Sequence, residues 1–507
     1  MNDGGANLSN EAPPSFAAID LGATSGRVIV GTVLGEPGAE RIELTEVGRF
    51  PNTPRREAVV PDGAEHLLWD LTSLWEGIVA GLRCAVEQFG DGLAGIAIDS
   101  WAVDYGLLDA EGNELGNPVN YRDERTKPVL ERVFDLVSAE AMYASNGLQI
   151  QPFTTAFQLL AEERLGQART MLLIPDLLGH RLTGVARAEI TNASTTGLLN
   201  AGTREWDGEL TQALGLDLSL LPELIAPGSL LGTVRPDLLA ELGASRDIPV
   251  WTVGSHDTAS AVVAVPLTDP NAAYISCGTW SLVGLELPEP VLTEPSRAAN
   301  VTNEAGVDGT IRYLKNVMGL WVLTETLRGW EAQGHAVTLG EALAAAAEIE
   351  PLRTVVNIDD ASLLPPGDMP ARLSVLASAS GQPVPQTVGE VVRCILDSLA
   401  LAYRRSVRQV GELAGREIPA LHIVGGGVNN AELCQLTADS TGLPVITGPI
   451  EGAALGNVLV QARAAGVLPG SLAQLREVVA RSTPLTRYSP RLERQEAWAA
   501  AETRAHR

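Results

Sequence analysis

Apolar positions in this chain follow two alternating periods. Phe16 to Ile19 is a short apolar run ending in Asp20; after Leu21-Gly22-Ala23-Thr24-Ser25-Gly26-Arg27 a second run, Val28 to Val33, returns. Two such runs around a Gly-rich polar turn predict a β-hairpin. Residues 64–90 carry helical spacing through Leu67, Leu68, Leu71, Leu74, Trp75, Ile78, Leu82 and Val86, and Ala94 to Asp99 then reads as a buried strand. Ile248 to Val253 is another strand, broken at Gly254 and followed by a helical run from Thr258 to Val263, which places Ser255-His256-Asp257 at a strand-to-helix junction. Ala272 to Leu285 repeats the N-terminal pattern, with Gly278, Thr279 and Ser281 in its turn. A long amphipathic helix at 387–414 leads to a strand at 421–424, Gly425-Gly426-Gly427, and a helix from about 430 to 440. A further strand at 442–446 and a helix at 451–465 complete the series.

Strands alternating with helices in both halves predict an α/β protein with layered mixed sheets. The two similar hairpins hint at an internal duplication. A boundary is expected near 262–268, before Pro266, giving units at 15–265 and 266–490 with a disordered lead at 1–14 and a C-terminal tail at 491–507. The chain of 507 residues is long enough for several domains, and 45% hydrophobic content suffices for packed cores.

Composition narrows the partners. Lys and Arg number 36 against 62 Asp and Glu, a formal charge of −26, which disfavours nucleic acid and anionic membranes because both need cationic patches. A small anionic ligand stays possible where positive groups and backbone N–H dipoles gather locally. Cys84, Cys277, Cys394 and Cys434 form no C-x-x-C pair, the N-terminus lacks a signal-peptide pattern, and no run reaches the ~18 apolar residues of a spanning helix. A cytoplasmic monomer or homodimer is the expectation. Lysine occurs only at Lys127 and Lys315, so no Gly-Lys-Ser/Thr exists and a Walker A phosphate loop is excluded.

Candidate chemistry sits at the turns. Glycines at 22 and 26 let backbone approach a ligand, turn N–H groups can cradle phosphate oxygens, and Asp20 can hold a metal and its waters. An ordinary polar hairpin turn would use the same residue types. Gly278-Thr279-Trp280-Ser281 has the same double reading, but two such turns could close on a phosphate chain from opposite sides. Gly425-Gly426-Gly427 suits a planar ring lying against backbone, or merely a tight strand-to-helix turn; the turn does not continue as G-x-G-x-x-G. Asp257 is either a base that accepts a hydroxyl proton or a plain helix cap. Trp101 with Asp104 can supply an apolar wall and a hydroxyl-reading carboxylate, or a core Trp and a strand-end Asp. Arg122, Asp123 and Arg125 read as a solvated salt-bridge network.

In order along the chain, these segments resemble the FGGY family of sugar kinases over residues 16–490. The carriers are AAIDLGATSGRVIVG (17–31), IAIDSWAVDYGLLD (96–109), NYRDERT (120–126), PDLLGHRLTG (175–184), EITNASTTGLLN (189–200), GSHDTASAV (254–262), AYISCGTWSLVG (273–284), NVTNEAG (300–306), YLKNVMGLW (313–321) and LHIVGGGVNN (421–430). The resemblance implies two actin-like, ribonuclease-H-like ATPase domains around a central cleft that takes ATP and Mg²⁺, with the γ-phosphate passed to the 1-hydroxyl of L-rhamnulose. It implies Asp257 as catalytic base, Ala23, Thr24, Ser25, Gly26 and Arg27 as the first phosphate loop, Thr279 in the second, Gly426 at the adenine nucleotide and Asp20 near the metal. The sugar would meet Ala102, His256, Asp257, Thr258 and Asn316, with Trp101 and Asp104 as further candidates. Ala102 stands where such kinases often carry glycine, and Thr324 where a glutamine can assist the nucleotide. Two other readings remain open: a kinase of the same family for L-fuculose, xylulose or another ketose or polyol, and an actin-like ATPase without a sugar.

Overall fold

The computed structural model describes residues 12–59, 64–468 and 470–506. Most of the expected lead therefore lies outside the described residues; at its end, the Pro14 carbonyl accepts from Val33 N at 3.0 Å.

The first sheet grows from the N-terminal hairpin. Strands β1 (Ser15–Leu21), β2 (Ser25–Leu34) and β3 (Arg41–Pro51) run antiparallel, β4 (Leu93–Ser100) pairs parallel with β1, and β5 (Pro249–Trp251) pairs parallel with β4. Leu230–Thr233 closes one edge. Every residue of β1 is buried, as expected of a central strand covered on both faces. The parallel register sets Asp20 directly opposite Asp99, so two carboxylates end adjacent strands.

The second sheet contains β6 (Ala273–Cys277), β7 (Ser281–Leu287), β8 (Thr302–Ala305), β9 (Ile311–Val317), β10 (Leu421–Val424), β11 (Val445–Thr447) and β12 (Thr486–Tyr488). Its run β9-β7-β6-β10-β11 matches β3-β2-β1-β4-β5 in order and in the sense of every pairing. The duplication hinted at by the two hairpins is thus a repeat of the whole sheet topology.

Helix α1 (Leu71–Phe89) covers one face of the first sheet with Leu71, Leu74, Ile78, Leu82 and Ala85. Its start corrects the helix expected from residue 64. Ala64–Leu68 is a strand paired with Arg55–Val59, and the Asp70 carboxylate accepts from Ser73 N at 3.0 Å, capping a helix that begins only at Leu71. Helix α2 (Asp257–Val263) follows β5; α3 (Val388–Ala414) and α4 (Ala431–Thr441) build the second core.

Helix α5 (Gly452–Ala464) comes from the second half but packs on the first sheet, where Ala454, Leu455, Val458 and Leu459 meet Phe16, Ala18, Ile29 and Ala97. It also crosses α2 at close range: a Cβ on Gly456 would lie 1.8 Å from the Ser260 carbonyl oxygen. Gln461 donates to the Ala17 carbonyl at 3.1 Å, and Asn457 to Asp99 at 2.6 Å. The segment expected as a tail contains helix α6 (Gln495–Ala505), whose Trp498 and Ala501 are buried in the second core. Among the described residues no helix is long and apolar enough to cross a membrane.

Gly456→Ala should lower stability by about 1–3 kcal/mol, the usual cost of overpacking, because the methyl meets backbone that cannot rotate away. Gly340→Ala, in a helix with open space around the new Cβ, should cost nothing; urea unfolding of both variants checks the contrast.

Candidate active site

A cleft of about 610 Å³ lies between the sheets, lined by both hairpin turns, the start of α2 and the loops before α4 and α5. The β1–β2 turn is rigidly braced. Gly22 N donates to Ser25 O at 2.9 Å, while Asn52 donates from its side chain to Gly22 O at 2.9 Å and from its backbone to Thr24 O at 3.0 Å. Ala23, Thr24, Ser25 and Arg27 line the cleft. Gly26 does not: a Cβ there would sit 2.2 Å from the Phe50 ring, so this glycine serves the packing of β2 on Phe50 and not the cleft.

Carboxylates dominate the floor. Arg27 donates Nη2 to Asp20 Oδ2 at 2.5 Å and Nη1 to Glu451, so its guanidinium is already held between two acids. Burial raises the Asp20 carboxyl above its usual range despite Arg27, and raises that of Asp99 further, with Asp20 beside it adding to the effect. Asp99 Oδ2 accepts from Asn457, and its buried Oδ1 has no partner. Glu451, which precedes α5, was not foreseen as a site residue; only its place between a Gly-Pro turn and a helix could have signalled it.

The β5–α2 junction carries Asp257 into this cleft. Ser255 fixes the junction by donating N and Oγ to Glu189 at 3.0 and 2.8 Å, and its carbonyl accepts from Ser100 N at 2.9 Å. Gly254 is required because a Cβ would fall 2.9 Å from Ser260 N and Ala259 Cβ. No side chain caps α2; Asp257 instead accepts from Thr258 Oγ1 at 3.1 Å and faces the cleft a third exposed. The plain-cap reading of Asp257 therefore does not describe it. His256 and Thr258 flank it in the lining.

On the opposite wall, Gly278 N donates to Trp280 O at 2.9 Å, which closes the β6–β7 turn and leaves Thr279 exposed. Leu320 N and Trp321 N donate to the Gly278 and Thr279 carbonyls at 3.1 and 3.0 Å, so the MGLW segment buttresses this turn from behind. Thr324 is exposed and off the lining. The three glycines after β10 divide their work. Cβ atoms at 425 and 427 would strike Cys277, whereas Gly426 faces open space in the cleft.

Trp101, Tyr121 and Phe153 give the cleft an aromatic surface, and Ala102 and Asn316 also line it. Asn316 donates to Gln149 Oε1 at 3.0 Å. Val103 holds a φ of 67°, which a β-branched residue rarely adopts. Asp104 does not reach the cleft. Its buried carboxylate accepts from Trp69 Nε1 at 2.6 Å, Trp101 Nε1 at 3.1 Å, Gln158 Nε2 at 2.9 Å and Tyr121 N at 3.1 Å. Fully buried and off the lining, Asp104 fixes the Trp101 and Tyr121 walls instead of meeting a ligand in the cleft. The cluster expected to be solvated is likewise partly internal: Arg125 is buried against Glu162 at 2.8 Å, and Arg164 joins Glu162 at 2.7 Å, which together hold that carboxyl down to about 2.

Among the described residues no three His, Cys, Asp or Glu side chains converge as a metal cage. Mg²⁺ commonly uses one or two carboxylates with phosphate oxygens and water. Of the acidic groups here, Asp20 lines the cleft with Arg27 on one oxygen, whereas Asp99 is fully buried and off the lining.

Family models agree with this architecture. Residues 16–264 match the N-terminal domain and 273–465 the C-terminal domain of the FGGY family of carbohydrate kinases. The chain belongs to that family, with its two actin-like ATPase domains around a cleft. Proteins named rhamnulokinase are among its relatives: one from Bacteroides thetaiotaomicron is 40% identical, covering 96% of this chain and 98% of that protein, and one from Bacillus subtilis is 38% identical over 94% and 95%. Among solved structures, a xylulose kinase from Lactobacillus acidophilus aligns with TM-score 0.79 at 15% identity over 97% of both chains, and the Plasmodium falciparum glycerol kinase with ADP with TM-score 0.77 at 16% identity over 97% and 98%.

Burial pushes the Asp104 carboxyl up to about 6, against the pull of its four donors. The folded protein therefore takes up this proton at a pH where an unfolded chain, with a value near 3.8, does not. This group favours the folded state increasingly as pH falls from 7 toward 4. Tryptophan emission should change with a midpoint about 6 as the indole acceptor is protonated, and that transition should vanish in Asp104→Asn.

Proposed function

We propose that the protein transfers the γ-phosphoryl group of ATP to the 1-hydroxyl of L-rhamnulose, giving L-rhamnulose 1-phosphate and ADP. Phosphoryl transfer of this kind rests mainly on positioning and on neutralising charge. The observation that carries the reading is the placement of Asp257, unengaged by any helix cap, in a cleft between two hairpin turns. The full-length likeness to proteins named rhamnulokinase selects the sugar.

In this reading residues 15–265 form the domain that holds the sugar, the first phosphate turn and the base, and residues 266–490 the nucleotide domain. Asp257 accepts the proton of the attacking hydroxyl. Ala23, Thr24, Ser25 and Thr279 present backbone N–H and hydroxyl groups to the phosphates from two sides, and Gly426 gives the adenine nucleotide room against backbone. Arg27 acts through Asp20 and Glu451, orienting both acids. Asp20 would hold Mg²⁺, which would supply positive charge to offset that of the phosphates. Ala102, Trp101, His256, Thr258 and Asn316 surround the sugar, while Asp104 sets the angle of Trp101. The enzyme acts in the cytoplasm, where ATP is supplied, and one chain provides every group named here, whether it works as a monomer or a homodimer.

ADP release measured with Mg-ATP and L-rhamnulose, L-fuculose, D-xylulose, L-ribulose or glycerol should give the highest kcat/KM for L-rhamnulose. Preference for another ketose would shift the substrate, and turnover indifferent to sugar would overturn the kinase reading. Asp257→Asn should lower kcat by at least ~10²-fold, the scale of a lost general base, while ATP binding measured by calorimetry persists.

A further inference from the structure

His256 precedes the base, and its ring is gripped from the opposite sheet. Glu304 and Arg312 are register partners on β8 and β9, and both reach the first half of the chain. Arg312 is fully buried. Its Nε donates to Ala305 O at 3.0 Å, its Nη1 lies 2.9 Å from Glu304 Oε2, and its Nη2 lies 3.1 Å from His256 Nδ1. Glu304 Oε2 is 3.3 Å from the same ring nitrogen. On the other side of the imidazole, Nε2 stands 3.5 Å from Asp257 Oδ1.

A guanidinium can only donate. Arg312 Nη2 is shut off from water, and His256 Nδ1 is the acceptor recorded for it, so the Nδ1 lone pair must face Arg312 and the ring proton must sit on Nε2. Glu304 Oε2, which could have drawn a proton to Nδ1, makes no hydrogen bond to the ring among the described residues and pairs with Arg312 by charge alone. The consequence falls on the cleft. With Nε2 protonated, His256 presents a donor beside the Asp257 carboxylate; with Nε2 bare, two acceptors would compete for one hydroxyl proton.

Resting on the proposed kinase reaction, we propose that Arg312 is a positioning residue that fixes His256 as the Nε2–H tautomer, so that the imidazole donates a hydrogen bond to a sugar oxygen and leaves Asp257 the sole proton acceptor. Arg312 touches neither substrate; it acts through the ring.

The tautomer is tested before any sugar is added. ¹⁵N NMR of histidine-labelled protein, with the His256 signals assigned through His256→Gln, should show a protonated-type shift at Nε2 and a bare-nitrogen shift at Nδ1. The reverse pattern would overturn the assignment, and this arm does not depend on which sugar is phosphorylated. The double variant Arg312→Met/Glu304→Met leaves no uncompensated buried charge. It should show mixed tautomers and a ketose KM raised roughly five- to tenfold, the scale of one hydrogen bond, with the KM for ATP unchanged. Arg312→Lys, which keeps a donor, should recover most of the loss. An unchanged ketose KM in the double variant would sink the proposal, whereas absence of turnover with every sugar in the unaltered protein would sink the kinase reading and leave the tautomer to the NMR result.

Discussion

The contact on which the cleft depends is the crossing of α2 and α5, where the Ser260 carbonyl lies against Gly456 with no room for a methyl between them. Each helix begins at the cleft. The first residue of α2 is Asp257, and the residue that precedes α5 is Glu451, which meets Arg27 and through it Asp20. Because α5 also packs on Phe16, Ala18 and Ile29, the same contact sets where the first sheet stands relative to both helix starts. Displacing either helix would move Asp257 and the acids around Arg27 together.

Charge explains the chemistry available there. Asp20, Glu451 and Glu304 pair with two arginines, and both arginines are committed: Arg27 to two acids, Arg312 to Glu304 and His256. Little free positive charge is left for a triphosphate. In the proposed reaction, backbone N–H groups at the two hairpin turns and a divalent cation would neutralise it. A chain with two lysines, neither near a Gly-Ser/Thr loop, is consistent with that solution.

Local pattern was legible in the sequence, and distant pattern was not. The hairpins at 15–34 and 273–287, the junction at 254–258 and the glycine turn at 425–427 are written in neighbouring residues, and each stands where it was expected. The start of α1 was misjudged because Leu67 and Leu68 fit a helical period while Asp70 fixes the boundary by its hydrogen bond. Asp104 looked like a sugar ligand because its donors come from residues 69, 121 and 158, which no spacing rule connects to it. Gly26 looked like a phosphate-loop glycine, yet Phe50 on the next strand is what excludes a side chain there. Arg312 on β9 and His256 at the β5–α2 junction, 56 residues apart, had no shared signal at all.

The position of α5 also has a temporal side. Gln461 bonds to the Ala17 carbonyl across 444 residues of chain, so the apolar face of β1 and β2 that α5 covers is synthesised long before α5 itself. At the ribosomal pace of about 5–20 residues per second, that face waits roughly 20–90 s for its cover. During translation the first half is therefore a sheet with one side finished and the other still open, and it must be shielded from other nascent chains until the helix that completes it emerges.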